Sequence, residues 1–532
     1  MKKIYITLMV LVLALIGMAY LYFSRLNQGT SDHEMSLHAA TANSGVVFSL
    51  ENDKSIFEIL KGQDLLWRLI GTDKFNQLRL LKDKLISNPS INNLITHSNI
   101  FISFSAGDNR DMDYLISTQL NNEHDQPELL QILKSNGLTI SSTAELTTLR
   151  LNDSLAFYVG LKKNMILLSN AAAPIKMALH PVQNKSAQEF TAFISSSSKR
   201  SKNSVGNLYI DFNRIPELAK AVLPGKLNGG LALLANQHAF AALNYNFSKE
   251  RLFFNGNSKL TDPHNYLNLF SDLKSQKNTI DNLLPDQTAN FRLYSITDYK
   301  KWLKTLRSWF AGRKEEATVK KIITTTTKTY HLNPDEIFPQ YFKNQLIAFQ
   351  LSKGESLAAI NLSNGDKVKQ LMIDISEDYD QDIKKLKVSG LLYCYFGEPL
   401  KRFATPYYTI IDNYMVVSNY PSALQQFLRK YRNNELLVND PDYINQYSQL
   451  SNSASVTYYV NRKNSAELSS NTLYAPYHKH FMSAEGLGIF SSFIFQLNGD
   501  KGNFQTNLLI NTPPDIQNEE TSNSSLTKSN TN

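Results

Sequence analysis

The chain has 532 residues and a formal net charge of +8, with 42% apolar and 19% charged side chains. This composition is too apolar for a disordered protein, and 22 glycines with 17 prolines exclude the collagen-like and proline-rich classes. The single cysteine, Cys394, excludes an intramolecular disulfide, a thiolate-rich zinc site and an iron–sulfur cluster, because each requires several sulfur atoms.

An apolar segment begins the chain. Residues 4–23 carry no charge, and a helix of that length spans the roughly 30 Å core of a bilayer. A cleaved signal peptide is the competing interpretation, but such peptides have shorter apolar regions that end in small residues. The bulky ending, Tyr20 to Phe23, favours an uncleaved anchor. Lys2 and Lys3 before the segment outnumber Arg25 after it, which favours a cytoplasmic N-terminus and an exported body.

The exported part keeps a charge of 8 − 2 = +6 once Lys2 and Lys3 are assigned to the cytoplasm. Its basic residues are scattered rather than clustered, which argues against nucleic acid as a partner. An anionic membrane surface or an acidic glycan remains compatible with this charge.

Two parts of the chain resemble each other at a nearly constant separation. Residues 164–170 align with 413–419 at an offset of 249, and both are apolar strand patterns that end in Ser-Asn before a helical pattern. Residues 208–218 align with 458–468 at an offset of 250, and the same offset pairs Phe240 with Phe490. A register kept over fifty residues predicts a duplication.

The duplication gives a domain plan for the whole chain. It consists of a membrane anchor (1–23), a spacer (24–43), a first repeat unit (44–262), a connector (263–284), a second repeat unit (285–512) and a disordered tail (513–532). The tail has almost no apolar side chains to offset the entropy of ordering.

The hydrophobic period changes in the same order within each unit. Amphipathic helices are predicted at 55–71 and 297–313, the first with a capping box of Ser55 and Glu58. Strand patterns and long hairpins follow, at 99–105, 154–160, 164–169, 206–212, 238–246 with 251–260, and 488–497 with 501–510. The predicted fold class is therefore α+β, with an N-terminal transmembrane helix followed by two tandem repeats of helices packed on antiparallel sheets.

Four local features complete this prediction. The Ser-Asn pairs at 169–170 and 418–419 are typical of helix N-caps, and Asn498-Gly499 is typical of a type I′ hairpin turn. Residues 195–203 are rich in serine and predict a flexible loop. Residues 320–328, with four consecutive threonines, have high β-propensity and predict an exposed strand.

No motif in the chain carries a complete catalytic or metal-binding pattern. Ser-x-x-Lys occurs at 196–199, 271–274 and 525–528 without the partner motifs of penicillin-binding enzymes. Asp378, Asp380 and Asp382 resemble half of a calcium loop, but Ile383 stands where that loop needs glycine.

Three further groups of residues are weighed as a metal site, a reactive thiol and a contact surface. His478 and His480 would give half a zinc site if they lay on a strand. Cys394 lies in an apolar strand-like pattern that indicates a buried, inert thiol. Residues 406–408 and 474–477 are the least periodic aromatic clusters, and we expect any contact surface there.

One part of the pattern resembles a known family. The strand 414–419, the helix 422–429, the segment 436–440 and the strand 458–460 are similar to an uncharacterised family of membrane-anchored, exported proteins from Bacteroidota. The resemblance is strongest over 390–512, is weaker in the first unit and is absent from the tail. It implies an envelope location and supplies no activity or site residue.

These patterns predict a single-pass inner-membrane protein with a cytoplasmic N-terminus and a periplasmic body, which acts as a binding or scaffolding module rather than as an enzyme. No catalytic, cofactor-binding or metal-binding residue and no cofactor is predicted. The expected partners are the membrane, through the N-terminal helix, and an envelope protein. One alternative is a hydrolase of envelope polymers, since residues dispersed along a chain leave no local signature. Another is a lipid-binding module, in which the sheets would enclose an apolar cavity.

Overall fold

A computed structural model describes most of the chain after its first 34 residues. It covers residues 35–50, 64–71, 74, 76–77, 80, 89–95, 98–135, 139–142, 146–152, 155–181, 184–198, 206–225, 237–246 and 251–513. The predicted anchor, the capping box at Ser55 and residues 514–532 of the predicted tail lie outside these ranges. None of the helices that these residues form combines the length and the apolar character needed to span a bilayer.

Helices and strands alternate along the chain in short elements. The helices are α1 (Met35–Thr41), α2 (Asp64–Ile70), α3 (Pro89–Leu94), α4 (Gln126–Ser135), α5 (Ala172–Leu179), α6 (Lys185–Ser198), α7 (Ile215–Val222), α8 (Tyr299–Gly312), α9 (Glu316–Tyr330), α10 (Pro334–Tyr341), α11 (Gly365–Leu371), α12 (Leu391–Phe396), α13 (Pro421–Arg432), α14 (Pro441–Ser448), α15 (Ala466–Thr472) and α16 (Ala475–Met482). The strands are β1 (Val46–Leu50), β2 (Ile100–Ala106), β3 (Met112–Gln119), β4 (Thr139–Ser142), β5 (Thr147–Asn152), β6 (Leu155–Lys162), β7 (Met165–Ser169), β8 (Asn207–Asp211), β9 (Ala239–Asn246), β10 (Arg251–Leu260), β11 (Gln276–Lys277), β12 (Thr288–Ser295), β13 (Phe342–Leu351), β14 (Ser356–Leu362), β15 (Ser376–Asp378), β16 (Lys384–Leu386), β17 (Tyr407–Ile411), β18 (Tyr414–Ser418), β19 (Ser453–Ala454), β20 (Val456–Asn461), β21 (Ser492–Asp500) and β22 (Asn503–Asn511).

The described residues form two compact bodies. The first body contains residues 35–50 and the described residues from 80 to 198, and the second contains 64–77 and the described residues from 206 onward. The first body is a seven-stranded antiparallel sheet in the order β4-β5-β6-β7-β3-β2-β1. Helices α1 and α5 pack on one face of this sheet through a cluster of small and aliphatic side chains that includes Ala39, Leu167 and Ile175.

The second body has a longer antiparallel sheet. Its strand order is β15-β16-β17-β18-β14-β13-β12-β20-β21-β22-β10-β9-β8. One face is covered by an aromatic-rich core that contains Trp302, Trp309 and Tyr395, and the other by an aliphatic core that contains Leu424 and Phe427 of α13. The predicted α+β class with antiparallel sheets is therefore confirmed.

Helix α8 shows why the amphipathic pattern was a good predictor. The side chain of Asp298 accepts a hydrogen bond from the backbone N–H of Lys301 and caps the first turn. Trp302, Leu306 and Phe310 then recur at spacings of four and are almost fully buried. The helix predicted at 297–313 is confirmed, and so are the strands predicted near 99–105, 154–160, 164–169 and 206–212.

The predicted threonine-rich strand is wrong, since those residues lie within helix α9. Val319 and Thr326 are buried on one face of this helix. The hydroxyl groups of Thr326 and Thr327 donate to the backbone carbonyls four residues earlier, at 2.8 and 3.1 Å. Burial of one face and these local hydrogen bonds together override the β-propensity of threonine.

Four other local predictions also need correction. Residues 195–198 of the predicted loop form the end of α6, and residues 35–41 of the predicted spacer form the buried helix α1. The Ser-Asn pairs are not the caps, because α5 and α13 begin one residue later, after Ala171 and Tyr420. The second hairpin turns at Lys501-Gly502, where both residues have positive φ, and not at Asn498-Gly499.

Candidate functional site

A small polar cleft opens on the second body where three central strands meet a loop. Strand β12 supplies Asn290 and Arg292, strands β13 and β14 supply Gln350 and Ser356, and Arg402 comes from the loop after residues 398–400. The cleft has a volume of about 10 Å³. We call it the arginine cleft, because two guanidinium groups are its only ionised side chains.

The sheet register places Arg292 in this cleft. Arg292 lies opposite Ala348 on β13, and Ala348 lies opposite Ala358 on β14. Both alanines are buried, and their small side chains leave room beside the guanidinium on a face that otherwise carries aromatic and aliphatic side chains. Arg292 is only half-buried, so its charge remains accessible from the cleft.

The polar side chains beside Arg292 are held by hydrogen bonds. The amide of Asn290 donates to the side-chain oxygen of Gln350 at 3.2 Å, and the amide of Gln350 donates to the carbonyl of Gly354 at 3.1 Å. This chain of amides ties the end of β12 to the turn between β13 and β14. These two hydrogen bonds therefore fix the orientation of the amides that line the cleft.

The loop that carries Arg402 is anchored on both sides of this residue. Phe403 and Leu400 are buried in the aromatic-rich core, and the side-chain amide of Asn419 donates to the carbonyl of Arg402 at 3.0 Å. Arg402 is exposed as a residue, yet protein atoms crowd its guanidinium. This partial burial, and then the positive charge of Arg292, lower the pKa of Arg402.

Neither arginine has a carboxylate partner within the described part of the chain. The other ion pairs of the second body join groups elsewhere, such as Arg307 with Asp335 and Arg432 with Asp382. Two neighbouring cations without a counterion favour the binding of an anion, and a guanidinium can hold a carboxylate with two parallel hydrogen bonds. The lining of the cleft includes no carboxylate and no imidazole.

The histidine pair does not form the half zinc site that a strand would have given. His478 and His480 lie on helix α16, where residues two apart point to opposite sides. His478 Nδ1 lies 2.9 Å from the hydroxyl of Ser469, while burial lowers the pKa of His480. Among the described residues, no three potential metal ligands of the His, Cys, Asp or Glu types lie together.

The three aspartates of the calcium-like segment are directed to different partners. Asp378 pairs with Lys384, and Asp382 pairs with Arg432 at 2.9 Å. Asp380 accepts backbone hydrogen bonds from Asp382 and Ile383 and shapes its own turn. The carboxylates therefore form separate local contacts and not one binding loop.

Cys394 is buried, as predicted, but it lies in the short helix α12 and not in a strand. Burial raises the pKa of its thiol to about 11, so the reactive thiolate is disfavoured at neutral pH. The serines of two Ser-x-x-Lys segments are also engaged, since Ser196 donates to Phe193 and Ser271 to Asn268.

The predicted aromatic clusters have different environments. Tyr408 is buried and lies 2.6 Å from the hydroxyl of Ser376, whereas Tyr407 is half-buried against Tyr379, which is 51% exposed. In the other cluster, Tyr474 precedes helix α16 and Tyr477 is half-buried within it. The arginine cleft was missed, because its two arginines are 110 residues apart in sequence. One signal was present, since Arg292 interrupts a buried strand pattern.

Comparison with known proteins adds no relative to this picture. No family model, no curated protein and no solved structure matches the chain.

Proposed function

We propose that the chain is a membrane-anchored, exported binding protein whose second body recognises an acidic side chain of an envelope protein through Arg292 and Arg402. The observation that carries this proposal is the pair of guanidinium groups without a carboxylate partner among the described residues. Neighbouring like charges destabilise each other, and a bound anion relieves that repulsion. A charge arrangement that is costly for the isolated protein is a reasonable indicator of a binding site.

The size of the cleft argues for a protein carboxylate as the bound group. With a volume of about 10 Å³, the cleft is narrow, which favours a small terminal group such as a carboxylate over a whole sugar ring or an acyl chain. Tyr420 is 66% exposed and lies close enough to Arg402 to affect its pKa. Arginine and tyrosine are enriched where protein interfaces gain most of their affinity.

The residues that line the arginine cleft also argue against the alternative function, a hydrolase of envelope polymers with its active site in this cleft. Hydrolysis of a glycosidic bond typically uses two carboxyl groups that flank the bond, and other hydrolases need at least a nucleophile with a general base. The only hydroxyl side chain in the lining belongs to Ser356, and no base accompanies it there. The cleft therefore has the groups for binding and not those for bond cleavage.

The proposal includes the tandem repeat, which the strand orders support. Counted along the chain, the seven strands of the first body have the same order as the strands from β12 to β18 of the second body. Ser169 and Ser418, 249 residues apart, each donate to a carbonyl of the adjacent strand and accept from the backbone N–H two residues later. Lys163 and Asp412, with the same offset, both have positive φ in the preceding turn.

The hairpins β9–β10 and β21–β22, which would end the two repeat units, also support the repeat. Strands β10 and β22 pair antiparallel, and Gly256 lies opposite Thr506. These residues are separated by the repeat offset of 250, so the two hairpins meet about a local two-fold axis. Duplicated units that pair in this way resemble the isologous interface of a dimer.

The proposed location is the inner membrane, with residues 1–23 as the anchor and the body in the periplasm. This part rests on the uncharged segment 4–23 and on the lysines that precede it. An envelope partner then meets a body that carries a charge of +6, which attracts an acidic surface at a distance before the cleft is engaged.

Crosslinking in cells that make the full-length protein tests the binding proposal. We expect the wild type to capture a specific envelope protein, and the double variant Arg292→Gln with Arg402→Gln to lose it. Arg429→Gln is the matched control, because Arg429 is an exposed arginine on α13 outside the cleft. Replacing both cleft arginines by lysine should restore binding only in part, since lysine cannot form the two-pronged contact.

Equal capture by the wild type and by the double glutamine variant would overturn the proposal. Recovery of a covalent intermediate with an envelope polymer, in place of a protein partner, would instead favour the hydrolase.

A further inference from the structure

The first body contains an apolar cavity that the proposed binding function does not use. The cavity has a volume of about 80 Å³ and lies between one face of the sheet and helices α3 and α4. Ile116, Leu149 and Val159 line it from the sheet, and Leu129 and Leu133 line it from α4. The opposite face of this sheet holds the packed cluster under α1 and α5.

Water is a poor occupant of this cavity. The volume is several times the roughly 10–15 Å³ that one water molecule needs, but a buried water also needs two to four polar partners. Thr118 is the only polar residue of the lining, and its hydroxyl already donates to the carbonyl of Asn99 at 3.1 Å. The lining therefore disfavours water, and an apolar ligand would supply contacts that the walls otherwise lack.

The lining also indicates the shape of the ligand. Apart from Thr118, every lining residue is leucine, isoleucine or valine, and no aromatic ring is present to stack on a planar ligand. Branched aliphatic walls without a hydrogen-bond donor fit methylene and methyl groups. We propose that this cavity binds the end of an unbranched hydrocarbon chain, such as the acyl chain of a fatty acid or a membrane lipid.

In the second body, the sheet face that corresponds to this cavity is covered by large aromatic side chains. Val159 of the cavity aligns with Tyr408 at the repeat offset of 249, and Tyr408 is buried in the aromatic-rich core. Phe396 and Phe342 pack against each other in the same core, with ring centroids 5.2 Å apart. This comparison rests on the proposed repeat, whereas the volume and the lining of the cavity do not depend on it.

Photolabelling of the full-length protein in lipid nanodiscs tests the inference. One probe is hexadecanoic acid with a diazirine at the methyl end, and the second has the diazirine beside the carboxyl group. We expect the methyl-end probe to label peptides that contain α4 or β6, and the carboxyl-end probe to leave them unlabelled. An excess of unmodified hexadecanoic acid should abolish that label. This competition is measured on the wild-type protein and needs no variant.

A cavity-filling variant supplies the second readout. Val159→Phe places a ring in the cavity, and we expect it to reduce the methyl-end label on α4 to background. Tyr158→Phe is the matched control, because Tyr158 is the neighbouring residue and packs on the opposite face of β6. Circular dichroism shows whether each variant is folded. If Val159→Phe does not fold, the competition by unmodified hexadecanoic acid on the wild type tests the inference.

Three results would overturn the inference. They are equal labelling by the two probes, labelling that unmodified fatty acid does not compete, and labelling of α4 that persists in folded Val159→Phe. None of these results bears on the arginine cleft, since the crosslinking experiment has a different partner and different variants.

Discussion

At the scale of single residues, a buried carboxyl group in the second body links stability to pH. Asp281 is 5% exposed, and one of its oxygens accepts a hydrogen bond from the hydroxyl of Tyr443 at 2.8 Å. Its other oxygen is buried and has no partner among the described residues. Burial raises the pKa of Asp281 above its ordinary value of 3.8, although the hydrogen bond from Tyr443 opposes this shift.

The sign of the pH effect follows from the raised pKa. The folded state holds the proton of Asp281 more tightly than the unfolded chain does. Stability is therefore highest at low pH as far as this group is concerned, and it falls as the pH rises from about 3.8 through the folded-state pKa. Other carboxyl groups with the opposite shift contribute in the other direction.

We predict that Asp281→Asn raises the melting temperature at neutral pH, because the variant cannot ionise in a buried position. The difference from the wild type should shrink as the pH is lowered through the raised folded-state pKa of Asp281, because the wild-type carboxyl then regains its proton. Thermal unfolding followed by circular dichroism over this pH range measures both effects.

Asp272→Asn is the control, since Asp272 is an exposed aspartate in the same part of the chain. A loss of stability in Asp281→Asn at every pH would contradict the prediction. It would mean that this position needs a carboxyl group for its hydrogen bonding, whichever protonation state it has.

At the scale of secondary-structure elements, the central strand β10 depends on a close backbone approach. A Cβ atom on Gly256 would lie 2.0 Å from the carbonyl oxygen of Ala242 on the neighbouring strand β9. Contact at that distance is impossible without a shift of the strand. The pairing of β10 with β9 and β22 therefore requires glycine at this position.

Gly256→Ala should destabilise the protein by about 1–3 kcal/mol, because the strand must move to relieve the clash. Urea unfolding measures the loss. Gly225→Ala is the control, since a Cβ atom there meets nothing within 4 Å. Equal stability of the two variants would show that β10 does not lie this close to β9.

The turn between β21 and β22 supplies a prediction of the opposite sign. Lys501 has φ of 48° and Gly502 has φ of 82°, and a residue other than glycine, asparagine or aspartate is strained in that region. Lys501→Asn creates the preferred Asn-Gly pair and should stabilise the protein by up to about 1 kcal/mol.

The same urea titration checks the turn variant. Asn498→Lys is the informative comparison, because Asn498 belongs to β21 and pairs with Gln505, so its substitution should bring no gain. A loss of stability in Asn498→Lys, with no gain in Lys501→Asn, would place the turn at Asn498-Gly499.

At the scale of the whole molecule, the proposed topology has a direct test. We predict that alkaline phosphatase fused after residue 532 is active in cells and that green fluorescent protein at the same position is dark, because the C-terminal part would lie in the periplasm. Deletion of residues 1–23 should reverse both results. An active fluorescent protein on the intact chain would contradict the proposed orientation.

The charge distribution belongs to the same scale. Residues 24–532 carry a charge of +6, so the proposed binding of an acidic partner should become slower and weaker as salt is added, since screening acts on the long-range attraction. The apolar cavity of the first body should respond little to salt. Measuring both kinds of binding at several salt concentrations on one protein preparation would therefore distinguish the two proposed sites.

Local sequence patterns were sufficient for most secondary structure in the second body. The spacing of Trp302, Leu306 and Phe310 determined helix α8, because one face of a helix must be apolar to pack on a sheet. The alternation and hairpin signals determined the antiparallel sheets and hence the α+β class. The near-constant offset of 249 to 250 residues between similar segments also predicts the repeat from the sequence alone.

Other features were decided only by the tertiary structure. Helix α9 formed against the β-propensity of its threonines, because burial of Val319 and Thr326 against the core outweighs a local preference. Arg292 and Arg402 meet because strand order and a buried loop bring distant residues together, which no local spacing records. The cavity of the first body depends on the volumes left between side chains from several elements, and such packing exists only once the chain is folded.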